Sequence, residues 1–106
     1  MPRATYMYAF TVNPDRRAEF GEWARSKGVP FWLSRTGLVS YRTYRVQVGS
    51  STAMALAEFE SAEALGRMLD SPEWTEILAE FQSYLSDVQS WVLTPGPTGD
   101  EPLRPR

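Results

Sequence analysis

Residues 38–59 of the chain, LVSYRTYRVQVGSSTAMALAEF, contain the most distinctive structural pattern in the sequence. Residues 38–48 are rich in β-branched and aromatic side chains, which is typical of a β-strand, and residues 52–59 favour a second strand. Gly49, Ser50 and Ser51 lie between the two segments and favour a turn. The pattern predicts a β-hairpin in the middle of the chain.

A strand and a helix are predicted before this hairpin. Residues 5–12, TYMYAFTV, are aromatic and β-branched without a charge, which is typical of a strand covered on both faces. Residues 13–15, NPD, favour a helix start with Asn13 as the N-cap, and the apolar spacing within residues 15–27 predicts an amphipathic helix. Residues 28–30, GVP, are expected to interrupt that helix before a short helical segment at residues 31–33.

Two helices and a strand are predicted after the hairpin. Ser61 is expected to cap a helix over residues 62–69, and Ser71 is expected to cap a longer helix that runs to about residue 85. Residues 88–93, VQSWVL, alternate with a period of two, which predicts a final strand.

The domain organisation follows from the length and from the end of the chain. A chain of 106 residues fits one compact domain, which we assign to residues 1–95. Residues 96–106 are rich in Pro and Gly and are expected to form a flexible tail, because they bury too little apolar surface to repay their ordering entropy.

Composition excludes several classes of function. The formal net charge is −2 and no run of Lys or Arg forms a basic stripe, so nucleic acid is not an expected partner. The chain has no Cys and no His, so it has no thiolate nucleophile, no cysteine metal ligand and no histidine base. No apolar run approaches the roughly 20 residues of a membrane span, so we expect no membrane partner and a cytoplasmic location.

The order of elements predicts the fold class. Strand, helix, strand, strand, helix, strand is the order of a ferredoxin-like α+β domain, in which an antiparallel βαββαβ sheet carries its helices on one face. The strands lack the polar alternation expected of a sheet whose other face meets water. We therefore expect that face to pack against a second copy, so that a homodimer closes a dimeric α/β barrel.

Two short motifs carry a resemblance to a known superfamily. Residues 58–61, EFES, precede a short helix, and residues 70–74, DSPEW, open a long one. The arrangement resembles the dimeric α/β-barrel superfamily over residues 4–95, and most closely its NIPSNAP-like and antibiotic-biosynthesis-monooxygenase-like branches. The haem-degrading branch is disfavoured, because Leu78 and Met68 stand where its members place a His and a Trp.

The resemblance implies an activity without a cofactor. It implies a monooxygenase or cyclase that acts on an aromatic or polyketide-like small molecule in natural-product biosynthesis, with no metal and no flavin. The alternative is a non-catalytic dimeric module that binds a small molecule or another protein. We expect the enzyme to hold its substrate in an aromatic-lined cavity between sheet and helices.

Arginine and tyrosine side chains on the predicted strands are the strongest candidates for chemistry. Arg42 and Arg45 point to opposite faces of one strand. Each either pairs with a carboxylate, such as Glu58 or one across the dimer interface, or stabilises an enolate, carboxylate or phenolate of a ligand. Tyr hydroxyls can donate a proton to substrate oxygen, and they can equally be core residues. The candidate catalytic residues are Arg42, Tyr44 and Tyr8, and the candidate substrate-binding residues are Trp74, Glu58 and Arg45.

Overall fold

The computed structural model describes residues 3–99 and 101–106 and has, within them, four strands and four α-helices in the predicted order. The strands are β1 (Ala4–Val12), β2 (Leu38–Arg45), β3 (Ala53–Phe59) and β4 (Leu85–Leu93). The α-helices are α1 (Arg17–Trp23), α2 (Val29–Leu33), α3 (Ala62–Leu69) and α4 (Pro72–Gln82).

The four strands form one antiparallel sheet in the order β2-β3-β1-β4. This is the sheet of a ferredoxin-like α+β domain, and the predicted fold class is confirmed. All helices that contribute to the core pack on one face, where residues of α1 to α4 join one cluster with residues of β1 and β3. The opposite face, which we call the open face, carries no helix among the described residues.

The register of the strands divides their side chains between the two faces. Tyr6 pairs with Ala57 on β3, whereas its neighbour Met7 pairs with Leu56 on β3 and with Trp91 on β4. Because side chains alternate along a strand, Tyr6 lies under the helices and Met7 lies on the open face. Of the helix-facing side chains of β3, Phe59 is large and fully buried, but the other three are small, and this leaves room for the aromatic rings of β1 and α2. These small residues are Ala53, Ala55 and Ala57.

The first helical region is continuous, and the predicted interruption at residues 28–30 is wrong. A 3₁₀ turn at Pro14–Arg16 leads into α1, and a π-helical turn at Ala24–Gly28 leads directly into α2. Val29 keeps helical backbone angles, and its N–H bonds to the carbonyl oxygen of Ala24 in the wider i→i−5 pattern. Pro30 then lies in the first turn of α2. Residues of a first turn donate no hydrogen bond within their own helix, so the missing N–H of proline costs none there.

The serine caps were predicted correctly, but several boundaries were not. The backbone N–H of Ala64 donates to Ser61 Oγ at 3.1 Å, and that of Trp74 donates to Ser71 Oγ at 3.2 Å. Asn13 precedes the first helical turn but makes no side-chain capping bond. β2 was predicted to run to residue 48, but it ends at Arg45, and the hairpin loop begins directly after that residue.

The last strand begins earlier than its sequence pattern suggests. α4 ends at Gln82, and β4 starts at Leu85 rather than at residue 88. The backbone N–H of Asn13 donates to the carbonyl oxygen of Tyr84, and Leu85 pairs with Val12. These contacts with β1 end the helix, because they commit the backbone of residues 84 and 85 to the sheet.

Residues 94–99 and 101–106 contain no helix or strand, and a flexible tail remains a prediction. Within the described residues, none of the helices combines the length and the apolar character that a membrane span requires.

Candidate functional site

An aromatic crevice lies between the sheet and the helices. Its cavity volume is about 40 Å³, which holds little more than a water molecule, whereas ligand sites usually measure about 300–1,000 Å³. The rings that surround it therefore nearly fill it. The crevice is lined by Tyr8, Trp23, Ala24, Gly28, Trp32, Tyr41, Trp74, Ile77 and Phe81.

A β-bulge in β2 brings Tyr41 into this crevice. Leu38 pairs with Phe59 and Ser40 pairs with the adjacent Glu58, so the register shifts by one residue at Val39. The shift turns every later side chain of β2 to the other face. Without it Tyr41 would lie on the open face, and with it Tyr41 faces the helices beside Trp32, whose ring stacks on it at 5.6 Å.

The polar centre of the crevice is a pair of tyrosine hydroxyls. The hydroxyl oxygens of Tyr8 and Tyr41 lie 2.6 Å apart, and either can be the donor. Whichever donates, the other keeps its own O–H free to donate to a third oxygen. Ring contacts hold the pair, because Trp32 stacks on Tyr8 at 6.0 Å and Phe81 meets Tyr8 edge-on at 5.4 Å.

Burial keeps both hydroxyls neutral. It raises the pKa of Tyr8 far above the ordinary value, and the neighbouring Tyr41 raises that pKa further, while the nearby indole of Trp32 acts in the opposite direction. Burial also raises the pKa of Tyr41, against a lowering by its hydrogen bond with Tyr8. Near neutral pH the pair can therefore donate hydrogen bonds to a ligand, but it cannot act as a base.

One wall of the crevice is fixed by a hydrogen-bonded cluster on its outer side. The indole N–H of Trp23 donates to Glu80 Oε1 at 3.1 Å, and Lys27 Nζ lies 3.0 Å from the same oxygen. The hydrogen bonds from Trp23 and then from Lys27 lower the pKa of Glu80. Gly28 completes this wall, because a Cβ atom there would lie 2.9 Å from Cζ3 of Trp23.

Two of the predicted site residues, Tyr8 and Trp74, line the crevice. Tyr8 comes from the middle of β1, and Trp74 comes from the first turn of α4, where Ser71 caps the helix. The indole of Trp74 meets the ring of Tyr6 edge-on at 5.5 Å and lies 5.4 Å from the ring of Trp32.

Arg42 and Tyr44 lie on the open face, across the sheet from Tyr8 and the crevice. The alternation of β2 after the bulge places Tyr41 under the helices and Arg42 and Tyr44 on the other side. Nη1 of Arg42 donates to the hydroxyl of Tyr44 at 3.1 Å, and both side chains are exposed. Within one chain the guanidinium of Arg42 therefore meets solvent.

Arg45 and Glu58 are also separate from the crevice. Arg45 lines an open groove beside the hairpin loop, together with Arg17 and Phe20. Glu58 lies on the open face, where Arg3 Nη1 approaches it at 3.6 Å and Ser40 Oγ donates to it at 3.4 Å. The suggested ion pair between Glu58 and Arg42 or Arg45 is not formed, and Arg3 takes that place.

Sequence reasoning missed Tyr41 and Trp32 as members of the site. For Trp32, no local pattern distinguishes a tryptophan that fills a core from one that lines a cavity. Tyr41 faces the crevice only because of the bulge at Val39, and no residue of the hairpin indicates that bulge. Within residues 3–99 and 101–106, no group of three or more His, Cys, Asp or Glu side chains could hold a metal ion.

The chain resembles solved structures more clearly than it resembles known sequences. No protein-family model and no curated protein matches it. SnoaB, a cofactor-independent oxygenase from Streptomyces nogalater, is 21% identical, with a TM-score of 0.73 over 91% of this chain and 95% of that one. A DABB family protein from Mesorhizobium loti, described as having a ferredoxin-like fold, is 11% identical, with a TM-score of 0.76 over 90% and 98%.

A NIPSNAP family protein from Agrobacterium tumefaciens is also similar, at 13% identity and a TM-score of 0.62 over 92% of this chain and 90% of that one. At these identities the likeness concerns the fold. The chain has the ferredoxin-like fold of these proteins, so the resemblance read from residues 58–61 and 70–74 is confirmed at the level of structure.

Proposed function

We propose that this chain is a cofactor-independent oxygenase or cyclase that acts on an aromatic, polyketide-like molecule in natural-product biosynthesis. The observation that carries the proposal is the neutral Tyr8–Tyr41 hydroxyl pair in a crevice whose other lining side chains are aromatic or aliphatic. Such walls suit flat aromatic rings, and the pair supplies a directed donor for one ring oxygen.

The proposed oxygenation requires a substrate with an acidic C–H that is conjugated with an aromatic ketone. The substrate loses that proton to solvent while the crevice is open, which gives an enolate. The enolate transfers an electron to molecular oxygen, combines with it and takes up a proton, which gives a hydroperoxide. The peroxide loses water as the O–O bond breaks and a carbonyl forms, so a methylene plus O₂ yields a carbonyl plus water. The free O–H of the tyrosine pair stabilises the negative oxygen of the enolate.

The same donor also serves a cyclase. In an intramolecular aldol closure, the enolate carbon attacks a carbonyl carbon of the same chain, and the resulting hydroxyl leaves as water. Both reactions pass through an enolate, and in both the surrounding rings exclude bulk water, which strengthens the hydrogen bond to that anion.

The crevice must open to admit such a substrate, because 40 Å³ is too small for a fused ring system. We expect Trp74 to move rather than Trp32, since Trp32 is the more deeply buried, with 4% of its surface exposed against 9% for Trp74. Trp23 is held by its hydrogen bond to Glu80, whereas among the described residues no hydrogen bond holds the indole of Trp74. Displacement of this one ring joins the crevice to the solvent beside the first turn of α4.

The nearly filled crevice favours a second candidate function, a non-catalytic binding or interaction module. In that case the aromatic rings only fill the core, and the hydroxyls of Tyr8 and Tyr41 form their hydrogen bond with each other rather than with a ligand. The two candidates differ in turnover, because only the enzyme consumes oxygen or closes a ring.

The test is oxygen uptake with anthrone, an aromatic ketone with an acidic methylene, together with mass spectrometry of the product. The expected result is conversion to anthraquinone above the background rate, and a loss of at least about tenfold in kcat in Tyr8→Phe and in Tyr41→Phe. Tyr44→Phe is the matched control, since it removes a hydroxyl on the open face. Equal rates in all three variants would refute the site, and binding of anthrone without turnover would favour the module.

We also propose that the open face pairs with a second copy of the chain. Its central row is mostly apolar, and Trp91 and Tyr44 are 41% and 46% exposed. Exposed apolar patches of this kind mark interfaces, and a two-fold dimer covers the same patch on both copies. The central row consists of Arg42, Leu56, Met7 and Trp91.

A further inference from the structure

We infer that the part of the substrate enclosed by the crevice is uncharged, so that the site takes aromatic phenols and ketones and rejects carboxylates and phosphates at that position. The inference rests on the proposed function and names the substrate class of the same site. Its basis is the lining: none of the nine residues that surround the crevice carries a charge.

None of the described residues that line the crevice is a cation that could pair with a buried anion. Arg42 lies on the open face. Lys27, next to the lining residue Gly28, is held by Glu80 at 3.0 Å. The guanidinium of Arg35 lies 4.1 Å from the ring centre of Phe31 and donates to the carbonyl oxygen of that residue. Each of these cations is therefore engaged or points elsewhere.

The available donors suit a single neutral oxygen. The hydroxyl pair offers one free O–H to a ligand. A ketone or phenol oxygen needs only one or two donors. A carboxylate has about four acceptor sites, and most of them would stay unpaired among aromatic rings, which is costly.

A transient enolate differs from a carboxylate in this respect. The enolate of an aromatic ketone spreads its charge over the fused rings, which lie against the aromatic walls, and it needs the donor at one oxygen only. A carboxylate keeps its charge on two adjacent oxygens. The crevice therefore tolerates the anion of the proposed reaction and still excludes a permanently charged substituent.

The experiment compares naphthalene-2,6-diol with naphthalene-2,6-dicarboxylate by equilibrium dialysis at pH 7. The dicarboxylate has a charge at each end of the ring system, so whichever end enters the crevice buries one. Naphthalene-2,6-dicarboxamide controls for size, because it has the shape of the dicarboxylate without its charge. The expected result is that the diol and the dicarboxamide bind at least about 100-fold more tightly than the dicarboxylate.

Each outcome decides between the inference and the proposed function. Equal or tighter binding of the dicarboxylate that Tyr8→Phe weakens would overturn the inference and leave the site standing. Binding of none of the three ligands would overturn the proposed ligand site and the inference with it. Binding of the neutral ligands that Tyr8→Phe weakens and Arg42→Ala leaves unchanged would support both.

Discussion

The hydroxyl oxygens of Tyr8 and Tyr41 lie 2.6 Å apart, although the residues are 33 positions apart and their strands are not neighbours. β3 lies between them, and it presents Ala55 opposite Tyr8 and Ala57 opposite Tyr41. Because these two side chains are single methyl groups, the two tyrosine rings can meet above the central strand. The hydroxyl pair is therefore a product of the sheet order and of two small residues.

Enlarging Ala57 should break this arrangement. Ala57 is fully buried, so Ala57→Leu should destabilise the fold by about 1–3 kcal/mol through overpacking. Urea denaturation followed by tryptophan fluorescence measures this change. Ala62→Leu is the control, because it adds the same atoms at an exposed position of α3 and should change stability by no more than about 0.5 kcal/mol. A similar cost in both variants would contradict the role of Ala57.

The two crevice tyrosines should resist ionisation. Burial raises the pKa of both Tyr8 and Tyr41, so an absorbance titration at alkaline pH should show Tyr8 unionised until the protein unfolds and Tyr41 ionising above the ordinary tyrosine value. In Tyr8→Phe and in Tyr41→Phe the number of resistant tyrosines should fall. Five tyrosines that ionise together near pH 10 in the folded protein would show that the pair is not buried.

The same shifts make stability depend on alkaline pH. Below about pH 10 both tyrosines are neutral in the folded and the unfolded chain, so they contribute no pH dependence. Above that pH the unfolded chain loses these protons while the folded protein keeps them, so the free energy of unfolding falls as pH rises. The expected slope is about 1.4 kcal/mol per pH unit for each tyrosine. Denaturant midpoints from pH 9 to 11 in wild type and in Tyr8→Phe should show a weaker dependence in the variant.

Replacing Gly28 and Gly66 by alanine should change the stability of the protein in opposite directions. In Gly28→Ala the new Cβ would lie 2.9 Å from the ring of Trp23, so Trp23 must shift and its bond to Glu80 must weaken. We expect a loss of about 1–3 kcal/mol. Gly66→Ala in α3 meets no atom within 4 Å and should stabilise the protein by about 0.5–1 kcal/mol. Thermal denaturation of both variants checks the prediction, and stabilisation by both would argue against close packing at Gly28.

The open face should determine the number of subunits. Light scattering coupled to gel filtration should give about twice the chain mass of 12.0 kDa for wild type. Trp91→Asp should give the mass of one chain, because it places a charge in the apolar row of that face. Leu33→Asp is the control, since Leu33 is 65% exposed at the end of α2 and should leave the dimer intact. A wild-type protein that stays monomeric at micromolar concentration would overturn the proposed pairing.

Most of the fold could be predicted because its signals are local. The caps at Ser61 and Ser71 depend on residues three positions apart, and the alternation along β1 depends only on the geometry of a strand. The boundaries that failed depend on distant contacts. Pro30 continues a helix because a π turn precedes it, and β4 begins at Leu85 because Val12 pairs with it.

The sequence by itself determined the order of elements, the excess of aromatic side chains and the absence of Cys and His, since these are properties of composition and local pattern. It also predicted that Tyr8 lies on the first strand and that Trp74 lies at the start of the long helix, and both residues line the crevice. Only the tertiary structure decided that Tyr41 joins Tyr8 and that Arg42 does not. A shift of one residue in strand register reverses the face of every later side chain, and the register at Val39 is set by pairing with β3 rather than by the residues of β2 alone.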